Sequence, residues 1–151
     1  MSKCTFFGHH DCPEAIMPDL ETQLIDLIER KGIRDFYVGN QGTFDRLVRT
    51  ALRKLTTLYP EIRYTIALAY IPEKPLLLDE EFQKHTLLPD GIESIPKRFA
   101  ISYRNNWMLA QADYVVCYIV HGWGGAAQFS EKALRKGKHV INLGSYSFVD
   151  P

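Results

Sequence analysis

Cysteine is scarce in this chain. Cys4, Cys12 and Cys117 are the only three in 151 residues, and no two have CxxC spacing. That excludes a disulfide framework and points to buried free thiols in a reducing compartment. There is no excess of charge of either sign, since 18 Lys and Arg balance 18 Asp and Glu. A general nucleic-acid or membrane-surface binder needs surplus Lys and Arg, so neither partner is expected. Long hydrophobic runs are also missing. Nothing approaches the ~20 apolar residues of a membrane-spanning helix, and the apolar start, Cys4-Thr5-Phe6-Phe7, is too short for a signal peptide. A cytoplasmic location is the expectation. There are no internal repeats and no low-complexity segments. What is present, 46% apolar and 24% charged residues, is the composition of an ordinary globular domain, long enough for one core.

Strand-like and helix-like periods alternate along the chain. Cys4 to Gly8 reads as a strand. Glu14 to Lys31 reads as a helix, with Ile16, Leu20, Leu24, Leu27 and Ile28 on one stripe and Gly32 as its stop. Asp35 to Gly39 is a second strand. Thr43 to Tyr59 is the clearest helix, with Phe44, Leu47, Val48, Ala51, Leu52, Leu55 and Leu58 at i, i+3, i+4 spacing and Pro60 closing it. Arg63 to Tyr70 is a third strand. The span 71–98 carries Pro72, Pro75, Pro89, Pro96 and the turn Asp90-Gly91, and reads as a long loop, a lid or part of a subunit interface. Phe99 to Gln111 is a helix, Asp113 to Val120 a fourth strand, Gly125 to Lys136 a helix and His139 to Leu143 a last strand.

This alternation predicts a single α/β domain over residues 1–151, a Rossmann-like, doubly wound, mostly parallel five-stranded sheet with helices on both faces. Right-handed crossovers favour the order 3-2-1-4-5. A ligand crevice then opens between strands one and four, at the carboxyl ends of the strands. Three glycine-bearing loops reach that edge: Gly8-His9-His10-Asp11, Gly39-Asn40-Gln41-Gly42 and His121-Gly122-Trp123-Gly124-Gly125. The last is the most informative. It joins the apolar run Tyr114 to Val120 to a helix start, and glycine lets a phosphate approach the free N–H groups of the first helical turn.

Gly124-Gly125-Ala126-Ala127-Gln128-Phe129-Ser130-Glu131 resembles the GGxGTxxE motif of the LOG-type phosphoribohydrolases and of the wider SLOG superfamily, which includes DprA-like domains. Arg104-Asn105-Asn106-Trp107-Met108 resembles the RKxxM motif of the same enzymes, and Gly39-Asn40-Gln41-Gly42 their glycine-rich turn after the second strand. The resemblance implies a nucleotide-binding domain in which Arg104 and Glu131 cleave the N-glycosidic bond of a nucleoside monophosphate, Gly124 and Gly125 hold its phosphate, and the protein is a homodimer. A carboxylate beside an oxocarbenium-like transition state suits that chemistry. The chain departs from the motif at Ala127, Gln128 and Asn105, which stand for glycine, threonine and lysine, and Trp123 replaces a proline. These departures favour the alternative, a non-catalytic module that senses or sequesters an ADP-ribose-like or cyclic nucleotide.

The candidate ligand-binding set is therefore Gly8, His9, Gly39, Asn40, Gly42, Asp45, His121, Trp123, Gly124, Gly125, Ala126 and Gln128, beside the catalytic pair Arg104 and Glu131, with a nucleotide-like small molecule as partner and no cofactor. Each has a plainer reading. Glu131 stands four residues before Arg135 and fits an exposed ion pair. Arg104 fits a solvated helix face, Asp45 a first-turn carboxylate on the helix dipole, and Asn40 a turn residue. His9, His10, Asp11, Cys12 and His121 match no zinc spacing, so no metal is expected. Trp107 follows the helix period into the core or a dimer interface. Trp123 stacks on a base or packs locally. Arg46, Arg49 and Arg53 read as a solvated stripe.

Overall fold

The structure is a computed structural model that describes residues 2–71 and 80–148. β1 (Lys3–Gly8) is followed by a 3₁₀ turn (Glu14–Ile16) and α1 (Met17–Glu29). β2 (Asp35–Val38), α2 (Gly42–Leu58) and β3 (Arg63–Ala67) come next. α3 (Glu80–His85) and β4 (Thr86–Leu87) follow, then two 3₁₀ turns (Ile92–Ser94 and Lys97–Phe99). α4 (Ala100–Gln111), β5 (Tyr114–Tyr118), α5 (Gly125–Arg135) and β6 (His139–Asn142) complete the chain.

The six strands form one sheet in the order β4-β3-β2-β1-β5-β6, and every neighbouring pair is parallel. The five expected strands stand in the expected order. The sixth is a correction. Two residues from the span read as a loop, Thr86 and Leu87, pair with Ile66 and Ala67 and add an edge strand behind the short helix α3. The expected lid or interface role falls partly on residues 72–79, which lie outside the described residues.

Side-chain alternation in β1 explains the layers. Cys4 and Phe6 point into a core shared with Leu20 and Leu24 of α1 and with Phe44, Val48 and Leu52 of α2. Phe7 points to the opposite face, into a second core with Met108 and Leu109 of α4 and Ala127 and Ala133 of α5. β5 alternates the same way, with Val116 in the first core and Val115 and Cys117 in the second. Central strands buried on both faces read as unbroken apolar runs, as they do here. Thr5 is the polar exception, and its hydroxyl donates to the Tyr37 carbonyl at 2.8 Å. The three thiols are free and buried. Burial pushes Cys12 up to about 11 and Cys117 up to about 12, so both are inert at neutral pH. No helix among the described residues is long and apolar enough to cross a membrane.

Candidate functional site

The sheet changes winding direction between β1 and β5, and there the loops after these strands part. They leave a cleft of about 580 Å³ at the strands' carboxyl ends, within the roughly 300–1,000 Å³ range of small-molecule sites. One wall is Gly8, His9, His10 and Asp11 after β1. The opposite wall is Val120, His121, Trp123 and the start of α5, Gly124 to Ala126. Gln41 just before α2, Asp45 in α2 and Ile101, Arg104, Asn105 and Met108 of α4 close the remaining sides, over Phe6 and Phe7.

The α5 wall is built by backbone. Gly124 takes φ 96° and ψ 168°, a region essentially reserved for glycine. It turns the chain from the loop into the helix and, having no side chain, leaves the first-turn N–H groups uncapped. Its carbonyl receives the first helical bond, from Gln128 N–H at 3.0 Å. The N–H groups of Gly125, Ala126 and Ala127 have no intrahelical partner, and Gly125 and Ala126 line the cleft.

Arg104 lines the same cleft. It is 3% exposed and held by a collar: Nε donates to Asn105 Oδ1 at 2.9 Å, and Nη1 donates to Gln41 Oε1 at 2.8 Å and to the Ala67 carbonyl at 3.2 Å. Nη2 makes no hydrogen bond to a described residue, yet no buried side-chain nitrogen or oxygen among them lacks a partner. Nη2 is therefore not fully buried, and Arg104 is among the residues lining the cleft. Burial holds the guanidinium below its ordinary range, and the Asp45 carboxylate opposes that shift. Asp45 is buried and accepts the Gln41 backbone N–H at 3.0 Å. Burial raises its carboxyl, against the pull of Arg104, that N–H, Arg49 and His10. Both groups crowd Gly39, where a Cβ would sit 2.7 Å from Asp45 Oδ2 and 2.8 Å from Arg104 Nη1. A side chain there would push Asp45 or Arg104 out of place.

At the mouth, three rings stack. His9 and His121 lie 3.9 Å apart between centroids, and His121 and Trp123 3.7 Å apart. His9 Nε2 accepts the Val120 N–H at 3.1 Å, which requires an unprotonated nitrogen there. Desolvation, and then the neighbouring His121, lower its pKa. Trp123 is 71% exposed, so one face of the stack is open to a ligand. The loops are tied to one another: His9 N–H donates to the Tyr118 carbonyl and Thr43 N–H to the His10 carbonyl, while Asn142 accepts from Ile119 and Gly144 N–H and donates to the Ile119 and Tyr146 carbonyls.

Of the residues expected from sequence, Gly8, His9, Asp45, Arg104, His121, Trp123, Gly124, Gly125 and Ala126 line the cleft. Gly39 stands behind it, Gly42 packs against His10, and Asn40 is not among the lining residues. Glu131 and Gln128 are not among the residues lining the cleft. They line a separate hollow with Phe129, Lys132 and Arg135. Arg104 and Glu131 line different hollows. Sequence reasoning missed the roles of Gln41 and Asn105. Asn105 looked like a lost lysine and is instead the acceptor that keeps Arg104 in place. Trp107 is part-buried against the second core, edge-on to Tyr37 at 5.4 Å.

A six-stranded parallel sheet with helices on both faces and a cleft at its switch point defines a Rossmann-like α/β protein. Over 99% of its length the chain superposes, with a TM-score of 0.68, on DNA processing protein A (DprA) from Streptococcus pneumoniae, at 15% sequence identity. The match covers 52% of that protein, so the chain spans about half its length. At this identity the likeness is one of fold. No family model matches the sequence, and neither does any curated protein sequence.

Proposed function

We propose that the cleft binds a phosphorylated, nucleotide-like small molecule, with its phosphate between the start of α5 and Arg104 and its base against the His121–Trp123 stack. The observation that carries this reading is that buried Arg104, whose Nη2 has no hydrogen bond to a described residue, and an uncapped helix start line the same cleft of about 580 Å³. A cation and a helix N-terminus in one cleft favour an anion, and an open indole face favours a flat ring. The fold shared with DprA and the SLOG-like motifs are consistent with it.

Binding is favoured over hydrolysis of the N-glycosidic bond by Arg104 with Glu131. That reaction needs its carboxylate at the scissile bond, and Glu131 lines a different hollow. The module is a sensor or sequestering protein, and a homodimer remains part of the proposal. The test is calorimetric titration with nucleoside monophosphates, ADP-ribose and cyclic nucleotides, with chromatography of each mixture afterwards. Intact ligand, and binding weakened about tenfold or more by Arg104→Met, is the expected outcome. Release of free base that Glu131→Gln abolishes would restore the enzymatic reading, and no binding by any phosphorylated ligand would end this one.

A further inference from the structure

A second hollow, of about 250 Å³, lies further along α2, lined by Arg46, Arg49, Thr50 and Arg53 together with Tyr64, Ile66 and Phe82. The three arginines occupy i, i+3 and i+7, one face of the helix, and the sequence alone reads them as a solvated stripe. In the fold that face is walled by β3 and α3. Three guanidiniums line the hollow, and no carboxylate does so among the described residues.

Their existing ties are weak or leave donors over. Arg46 pairs with Glu14 at 3.1 Å, but both side chains are more than half exposed, and an exposed pair exchanges readily for a better anion. Arg49 is part-buried and spends Nη1 on the Gly39 carbonyl at 3.3 Å. Desolvation first lowers its pKa, the Asp45 carboxylate opposes that shift, and the charge of Arg46 adds to it. Arg53 makes no ion pair among the described residues. Like charges at this spacing destabilise a helix, and an anion between them relieves that repulsion. A volume of 250 Å³ is below the ~300 Å³ at which pockets for whole drug-sized ligands begin. The balanced net charge of the chain disfavours a long polyanion.

We infer that the Arg46–Arg49–Arg53 hollow is a second anion site that takes a small oligophosphate group, separate from the cleft. The test is titration of the ¹⁵N-labelled protein with sodium pyrophosphate at constant ionic strength. The expected result is saturable amide shifts along Arg46 to Arg53 and at Tyr64 to Ile66, with affinity reduced about tenfold or more in R53Q. Arg53 is exposed and R53Q should fold, and the wild-type shift map tests the site without any variant. Arg49 is left intact because it also holds Gly39 beside the cleft. Shifts confined to the Gly124–Ala126 amides, no saturable shift along α2, or unchanged affinity in R53Q would each overturn the proposal.

Discussion

Two adjacent glycines at the start of α5 do different jobs, and alanine separates them. Gly124 has a positive φ, and nothing lies within 4 Å of where its Cβ would be. Gly124→Ala therefore costs backbone strain alone, about 1–3 kcal/mol, and re-aims the first-turn N–H groups. Gly125 is an ordinary helical residue, also with open space around its Cβ. Gly125→Ala should leave stability unchanged or raise it by up to about 1 kcal/mol, while its methyl stands where a phosphate must approach. Urea denaturation with nucleotide titration checks the pair: both variants should lose affinity, and only Gly124→Ala should lose stability. If Gly125→Ala binds like wild type, the anion does not sit on that turn. Arg104 illustrates the other residue-scale device. A buried guanidinium is tolerable only when its N–H groups are spoken for, and Asn105, Gln41 and the Ala67 carbonyl do this on three sides. The remaining nitrogen is the one left to act.

Loops and helix starts decide what the cleft presents, and the first of these is sensitive to pH. His9 accepts a backbone N–H through Nε2, and burial, then His121, hold its pKa below the ordinary 6.5. A base whose folded value is depressed binds its proton more readily when unfolded. Its stability contribution is present above pH 6.5 and is lost as pH falls through the folded value. Melting temperature should therefore fall on acidification below 6.5, and His9→Gln, which keeps an acceptor for Val120, should flatten that slope. Histidine ring NMR should show His9 titrating below 6.5; titration at or above that value would refute the argument. Much of this was legible at the element scale. The α2 stripe, from Phe44 to Leu55, and the alternation in β1 specify their elements because one period fits and the other does not. β4 was not legible, since two residues, Thr86 and Leu87, are too few to show a period and owe their strand to pairing with β3. Glu131 lines a hollow with Gln128 and Lys132, and a motif, which fixes only sequence distance, does not say which hollow a residue lines. The roles of Gln41 and Asn105 come from contacts across 63 residues and from a neighbour's burial, which no local pattern encodes.

The whole molecule joins these parts through the sheet. β1 lies in the middle, so the loop after it meets the α2 start on one side and the β5–α5 loop on the other, and a ligand in the cleft touches segments from both cores. Such a ligand must stabilise the domain as one unit and not merely order a loop. At a free concentration of 100 Kd it adds about 2.7 kcal/mol to the folded state. For a chain of this size that corresponds to a melting-temperature rise of roughly 5–10 °C. Scanning calorimetry with the tightest ligand from the titrations should show a single transition shifted by that amount. Two transitions, with only one responding, would mean that the face carrying α4 and α5 unfolds apart from the face carrying α1 and α2. Strand β1 argues against that outcome. Cys4 and Phe6 belong to one core and Phe7 to the other, so neither face can be lost without unpacking the central strand of the other.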